Sequence, residues 1–162
     1  MAQFAFQFAQ ASKAKVYVTS SSDDKIQKAI DAGAAGAFNY KDPEWHKNAW
    51  KTKGGFNVVI DSSGGDQINT FIKLMRPAGR IIFFGATNGL PSSLDLYRMF
   101  WNQIELKGST MGNDQEFQAM VRFVDEHKIH PIVDSIRPFE EFISAFDDLA
   151  ENKKTGKLVL KM

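Results

Sequence analysis

Phe56-Asn57-Val58-Val59-Ile60-Asp61-Ser62-Ser63-Gly64-Gly65 is the stretch whose reading decides the fold. Its first half is an apolar run with β-branched residues at the centre, and its second half is small turn formers. A short apolar run stopped in this way reads as a strand inside a sheet. Arg80-Ile81-Ile82-Phe83-Phe84 repeats the pattern, and Gly85 stops it. Continuous apolar runs of this kind are expected of strands covered on both faces. Between the two runs, Gln67 to Met75 reads as a helix that ends at Pro77-Ala78-Gly79.

The same alternation extends outward. Toward the N-terminus, Asp42-Pro43 opens a helix through Trp45 and Trp50 that Gly54-Gly55 closes, and Ala37 to Tyr40 is a short strand. Before these come a strand over Lys15 to Thr19 and a helix that starts at Ser20-Ser21-Ser22-Asp23-Asp24 and runs to Ala32. Phe4, Phe6 and Phe8 alternate as in a strand, but Phe4, Ala5, Phe8 and Ala9 share a helical face, and helix is chosen for residues 2–12. Toward the C-terminus, a loop over Ala86 to Ser93 leads to a helix over Asp95 to Asn102 and a strand over Ile104 to Met111. A capped helix follows from Asp114 to His127, with Phe117, Met120, Val121 and Val124 at helical spacing. Ile132 to Ile136 is a strand, Phe139 to Glu151 an amphipathic helix, and Lys157 to Leu160 a terminal strand. Strands of four to six residues alternating with helices of about ten define an α/β fold, doubly wound around a mostly parallel, Rossmann-like sheet. No linker or repeat divides the chain, so residues 1–162 read as one nucleotide-binding domain.

Composition narrows the function. With 43% hydrophobic and 24% charged residues the chain is globular, and a net charge of +1 offers no field for nucleic acid. The absence of cysteine removes disulfides, thiolate nucleophiles and cysteine-based zinc sites. No run is long and apolar enough to span a bilayer, the first residues lack a secretory pattern, and a cytoplasmic protein is expected. His127 and His130 stand three apart, but Pro131 follows and no Glu-x-x-His companion is present; they read as helix-end histidines. No metal is expected in this chain.

In open α/β sheets, ligands bind beyond the carboxyl ends of the strands. Three such tips are small and polar: Thr19 to Ser22, Asp61 to Gly65 and Gly85 to Gly89. Any one of them alone is an ordinary capped turn; three in register make a crevice. Where a site specific for NAD places an acid, the first tip holds hydroxyls, with Lys25 in the following helical turn. A cation there opposes the helix dipole at about 0.3–1 kcal/mol, whereas hydroxyls, helix-start amides and a lysine together suit a phosphate. A capped surface helix with a solvated lysine explains the same residues, and the two readings are compatible.

Val16 to Lys25, Ala32-Gly33-Ala34, Asn39-Tyr40, Val58 to Gly64 and Gly79 to Gly85 come in an order that resembles the cofactor domain of the medium-chain dehydrogenase/reductase superfamily. The zinc-type alcohol dehydrogenase-like and quinone oxidoreductase branches are most similar. The resemblance covers nearly the whole chain, to Gly156-Lys157-Leu158-Val159-Leu160. It implies that Ser21, Lys25 and Tyr40 hold the 2′-phosphate of NADP, with NAD the less favoured cofactor. It implies that Ser63 and Gly64 border the ribose, and that Phe84, Gly85 and Ala86 lie near the nicotinamide. It further implies a homodimer formed near Ser109, Thr110 and Met111, and hydride transfer to a small carbonyl, quinone or activated alkene. Such domains open with a strand and a G-x-G-x-x-G turn; no such motif occurs here, and the chain begins within the helix that follows it. The resemblance therefore implies a domain incomplete at its N-terminus and inactive alone, in which Val16–Thr19 pairs with Val58–Asp61 or a strand is borrowed from another chain. No acid, base or nucleophile stands out, and no catalytic residue is assigned. A non-catalytic nucleotide-binding or interaction module is the alternative; a methyltransferase on a similar sheet needs the same glycine turn and gains nothing.

Overall fold

The computed structural model describes residues 2–151 and 155–162. The chain divides into two compact units, Met1–Ala2 with Lys15–Asn113, and Gln3–Ala14 with Asp114–Met162. In the first, strands and helices alternate without exception: β1 (Tyr17–Ser20), α2 (Asp23–Asp31), β2 (Gly36–Asn39), α3 (Trp45–Lys53), β3 (Phe56–Asp61), α4 (Gln67–Leu74), β4 (Met75–Phe83), α5 (Leu96–Trp101) and β5 (Glu105–Gly108). The label α1 belongs to Ala2–Ala11, so the alternating phenylalanines are helical.

Every ladder is parallel. β1 pairs with β2, and β3, β4 and β5 form a second sheet in that order. The Rossmann-like reading holds. Of the two arrangements expected, the direct pairing of β1 with β3 does not form: the two strands belong to different sheets. They meet instead through side chains, the Tyr17 and Phe56 rings standing edge to face at 5.5 Å.

β4 also departs from expectation. The sequence reads Pro77-Ala78-Gly79 as a stop before a strand, but β4 already begins at Met75. Its register with β3 jumps from Phe56–Met75 to Val58–Arg80, so the proline segment is accommodated as an irregularity within the strand. Pro77 has no N–H for a ladder, and the N–H of Ala78, at φ 59°, donates to the Asn102 carbonyl at 2.8 Å.

The core lies between the sheet and helices α3 and α4. Trp45 and Ala49 of α3 and Ile68, Phe71, Ile72 and Leu74 of α4 close over Ile81 and Ile104. The Trp45 ring meets Phe71 edge to face at 6.4 Å and Phe38 of β2 at 6.4 Å. Val59 packs against this core, but Val58 and Ile60 on the opposite face of β3 are 55% and 50% exposed. Within this unit the β3 run is covered on one face only, which the apolar run by itself did not reveal. Arg80 and Glu105, opposite each other on β4 and β5, form a forked ion pair at 2.6 and 3.0 Å. Ile81 is fully buried. Ile81→Ala is expected to lower the unfolding free energy by about 3 kcal/mol, because a cavity adds to the lost transfer energy. A urea midpoint unchanged from the parent chain would show that Ile81 is not in the core.

The second unit is built on α6 (Asp114–Glu126), β6 (Val133–Pro138), α7 (Phe142–Ala150) and β7 (Lys157–Lys161), with β6 and β7 paired in parallel. Phe8 of α1 stacks on Phe123 of α6 at 5.5 Å, and Gln7 Nε2 donates to the His130 carbonyl at 2.8 Å. Arg137 of β6 pairs with Asp148 of α7 and donates to Ser144 Oγ at 3.3 Å, tying strand to helix. The apolar positions Phe117, Met120 and Val121 of α6 are exposed.

Candidate functional site

The first group of site residues forms where β1 and β2 end. β1 stops at Ser20, and Ser22 caps α2: its backbone is extended, and its Oγ accepts from the Lys25 N–H at 3.4 Å. The Ser20 hydroxyl accepts from the Ser22 N–H at 3.3 Å. These bonds satisfy donors that a helix start leaves open. The Tyr40 N–H donates to the Ser20 carbonyl at 3.0 Å, and Asn39 Nδ2 donates to Asp23 Oδ1 at 2.8 Å. Ser21, Lys25 and Tyr40 are thereby gathered at one end of one sheet.

The second group forms where β3 and β4 end, and Asp61 organises it. This carboxylate is only 6% exposed. It accepts from the Ser63 N–H at 3.1 Å, the Ser63 hydroxyl at 2.6 Å and the Gly64 N–H at 2.7 Å. An aspartate that closes a turn on its own following backbone fixes the direction of that turn. The neighbouring tip is stitched to it: the Phe84 N–H donates to the Asp61 carbonyl at 3.0 Å, and the Asn88 N–H to the Ser63 carbonyl at 2.8 Å. Gly64 has φ 66°, and a Cβ there would lie 3.0 Å from Ala86 Cα; a Cβ on Gly85 would lie 2.6 Å from the Ser62 carbonyl oxygen. Both glycines are required by close backbone approach. Ser63, Gly64, Phe84, Gly85 and Ala86 thus form one tightly bonded surface.

The loop beyond this surface is latched to α4. Asp66 accepts from the Ser92 N–H and hydroxyl, both at 2.7 Å, and these bonds hold its carboxyl below the usual carboxylate range. Asn69 Nδ2 donates to the Ser93 carbonyl at 2.6 Å. Sequence reasoning missed Asp61, Asp66 and Asn69 as organisers. For Asp61 the signal was present, an aspartate directly before Ser-Ser-Gly; for the other two, partners some 24–26 residues away left no local signal.

The two groups occupy the carboxyl ends of strands in two separate sheets. What they offer chemically is hydroxyls, backbone amides, one lysine and small residues, which suits holding a polar ligand. The sequence has no cysteine, and among the described residues no group of three or more His, Asp or Glu is placed to hold a metal ion.

Parallel strands with crossover helices and small polar turns at the strand ends define an open α/β protein of the dinucleotide-fold type. The model of the zinc-binding dehydrogenase family matches residues 1–126, and the chain belongs to that family. It is 33% identical over 159 residues to a zinc-type alcohol dehydrogenase-like protein of Leptosphaeria maculans, covering 93% of this chain and 43% of the relative. It is 27% identical over 161 residues to quinone oxidoreductase-like protein 2 of Bos taurus, covering 93% and 46%. The crystal structure of an NAD-dependent alcohol dehydrogenase superposes with a TM-score of 0.85 at 32% identity, over 98% of this chain and 47% of that one. The chain spans about half the length of the curated relatives it matches.

Proposed function

We propose that this chain is the cofactor-holding part of an NADP(H)-dependent oxidoreductase that reduces a small carbonyl, quinone or activated alkene. The reading rests on the first strand tip. Ser20, Ser21 and Ser22 surround a helix start, Lys25 follows in its first turn, and Tyr40 is bonded in beside them. Hydroxyls, amides and a cation at a helix N-terminus favour a phosphate where a ribose-binding acid would favour a hydroxyl. When bound, the cofactor supplies the hydride, and the protein supplies orientation and surroundings. Ser21, Lys25 and Tyr40 would hold the 2′-phosphate, Ser63 and Gly64 the ribose edge, and Phe84, Gly85 and Ala86 the wall beside the nicotinamide. Residues 1–162 would serve as one binding domain, and copies would pair as a homodimer near Ser109 to Met111.

Titration with NADPH and NADH tests the assignment. Lys25→Ala should weaken NADPH binding about tenfold, the loss expected for one charge-assisted contact of ~1.4 kcal/mol, and leave NADH binding unchanged. Equal affinity for the two nucleotides in the parent chain would remove the 2′-phosphate site.

A further inference from the structure

One side chain fastens the end of β2 to the head of α2. Asn39 is the last residue of β2 and stands opposite Ser20, the last residue of β1. Its Oδ1 accepts from the Lys41 N–H at 3.0 Å, which settles the way the amide faces. Nδ2 is thereby turned to Asp23 and donates to its Oδ1 at 2.8 Å. The Asn39 carbonyl accepts from the Asp42 N–H at 3.1 Å. Asn39 thus links the turn that carries Tyr40 to the turn that carries Ser21 and Lys25.

Asp23 is the one group whose chemistry runs against a phosphate there. It is the first residue of α2, directly after the capping Ser22. The helix dipole favours an acid at that position, but a carboxylate beside the helix start repels the anion that the amides attract. A carboxylate near this strand end is also the group that takes a ribose 2′-hydroxyl. The next acid, Asp24, is paired with Lys28 at 2.8 Å, one turn along the helix. Asp23 is held by a neutral donor 16 residues away in sequence. That donor does not cancel the charge; it fixes where the carboxylate points and occupies one of its oxygens.

We propose that Asn39 is a positioning residue that sets the nucleotide preference: by holding Asp23 it keeps an available carboxylate from a ribose 2′-hydroxyl and out of the way of a 2′-phosphate. The proposal rests on the reading of the first strand tip as a 2′-phosphate site. It adds that an acid able to favour the unphosphorylated nucleotide is present beside that site and is restrained by one amide. A bond that served only to fasten β2 to α2 would matter equally to NADPH and to NADH.

The test is calorimetric titration of the 162-residue chain with NADPH and with NADH. Asn39→Ala should lower the ratio of NADPH to NADH affinity about fivefold, the scale of one misplaced charge at a helix start. Adding Asp23→Ala should bring the ratio back to the parent value or above it, because the released carboxylate is gone. Asp23→Asn keeps an oxygen that accepts from Asn39 and leaves the fastening intact; it should tighten NADPH about twofold and leave NADH as it was. The proposal is overturned if a parent chain that prefers NADPH keeps its ratio in Asn39→Ala, if the second change fails to restore it, or if Asp23→Asn binds NADPH no better. A parent chain that binds both nucleotides equally removes the 2′-phosphate site, and the role of Asn39 with it.

Discussion

Asp61→Ala is expected to lower the unfolding free energy by about 3 kcal/mol, since buried hydrogen bonds to a charged group contribute roughly 1.5–3 kcal/mol each and abandoned donors add a desolvation cost. The carboxylate accepts from three donors within its own turn while almost wholly removed from water. Truncation leaves the Gly64 N–H facing no acceptor in a buried position. Asp61→Asn is expected to recover only part of the loss. An amide oxygen replaces the acceptor for Ser63, but the amide nitrogen then faces the Gly64 N–H donor to donor. Urea unfolding of both variants measures this, and the account requires the order parent, Asn, Ala. An alanine variant as stable as the parent would mean that the β3 tip is held by something other than Asp61.

Gly85→Ala is expected to cost about 2–3 kcal/mol, the scale of overpacking against backbone that has no room to move. The added Cβ would lie 2.6 Å from the Ser62 carbonyl oxygen, well inside van der Waals contact. Relief requires separating the β3 and β4 tips, which are stitched by the Phe84 and Asn88 amides. The change should therefore act on the site as well as on stability, weakening nucleotide binding even under conditions where the variant remains folded. A variant of unaltered urea midpoint would show that the two tips approach less closely than described.

Much of the fold was legible because local and global preferences agree. Phe56–Asp61 is bounded by turn formers on both sides, and the observed strand has those limits. The Ser20-Ser21-Ser22-Asp23-Asp24 run announces a helix start, and Ser22 is the cap. The pairing of β1 was not legible, because periodicity marks a strand and says nothing about which other strand it lies beside. The early start of β4 was hidden by Pro77, whose effect on a ladder depends on whether its neighbours find other partners. The exposure of Val58 and Ile60 was equally hidden, since an apolar run reports which residues avoid water and not what covers them. At the candidate site, hydroxyl and glycine tips were readable as chemistry. The Asp66–Ser92 and Asn69–Ser93 latches join residues far apart in sequence, and only the fold brings them together.

The central claim is that a phosphorylated dinucleotide lies across both groups of strand tips. An NMR titration of the chain with NADPH tests it most directly, with the amides of Ser21, Lys25, Gly64 and Gly85 followed together. All four are predicted to shift with one common saturation curve. Shifts at one group alone, or four signals that stay in place at millimolar nucleotide, would contradict it.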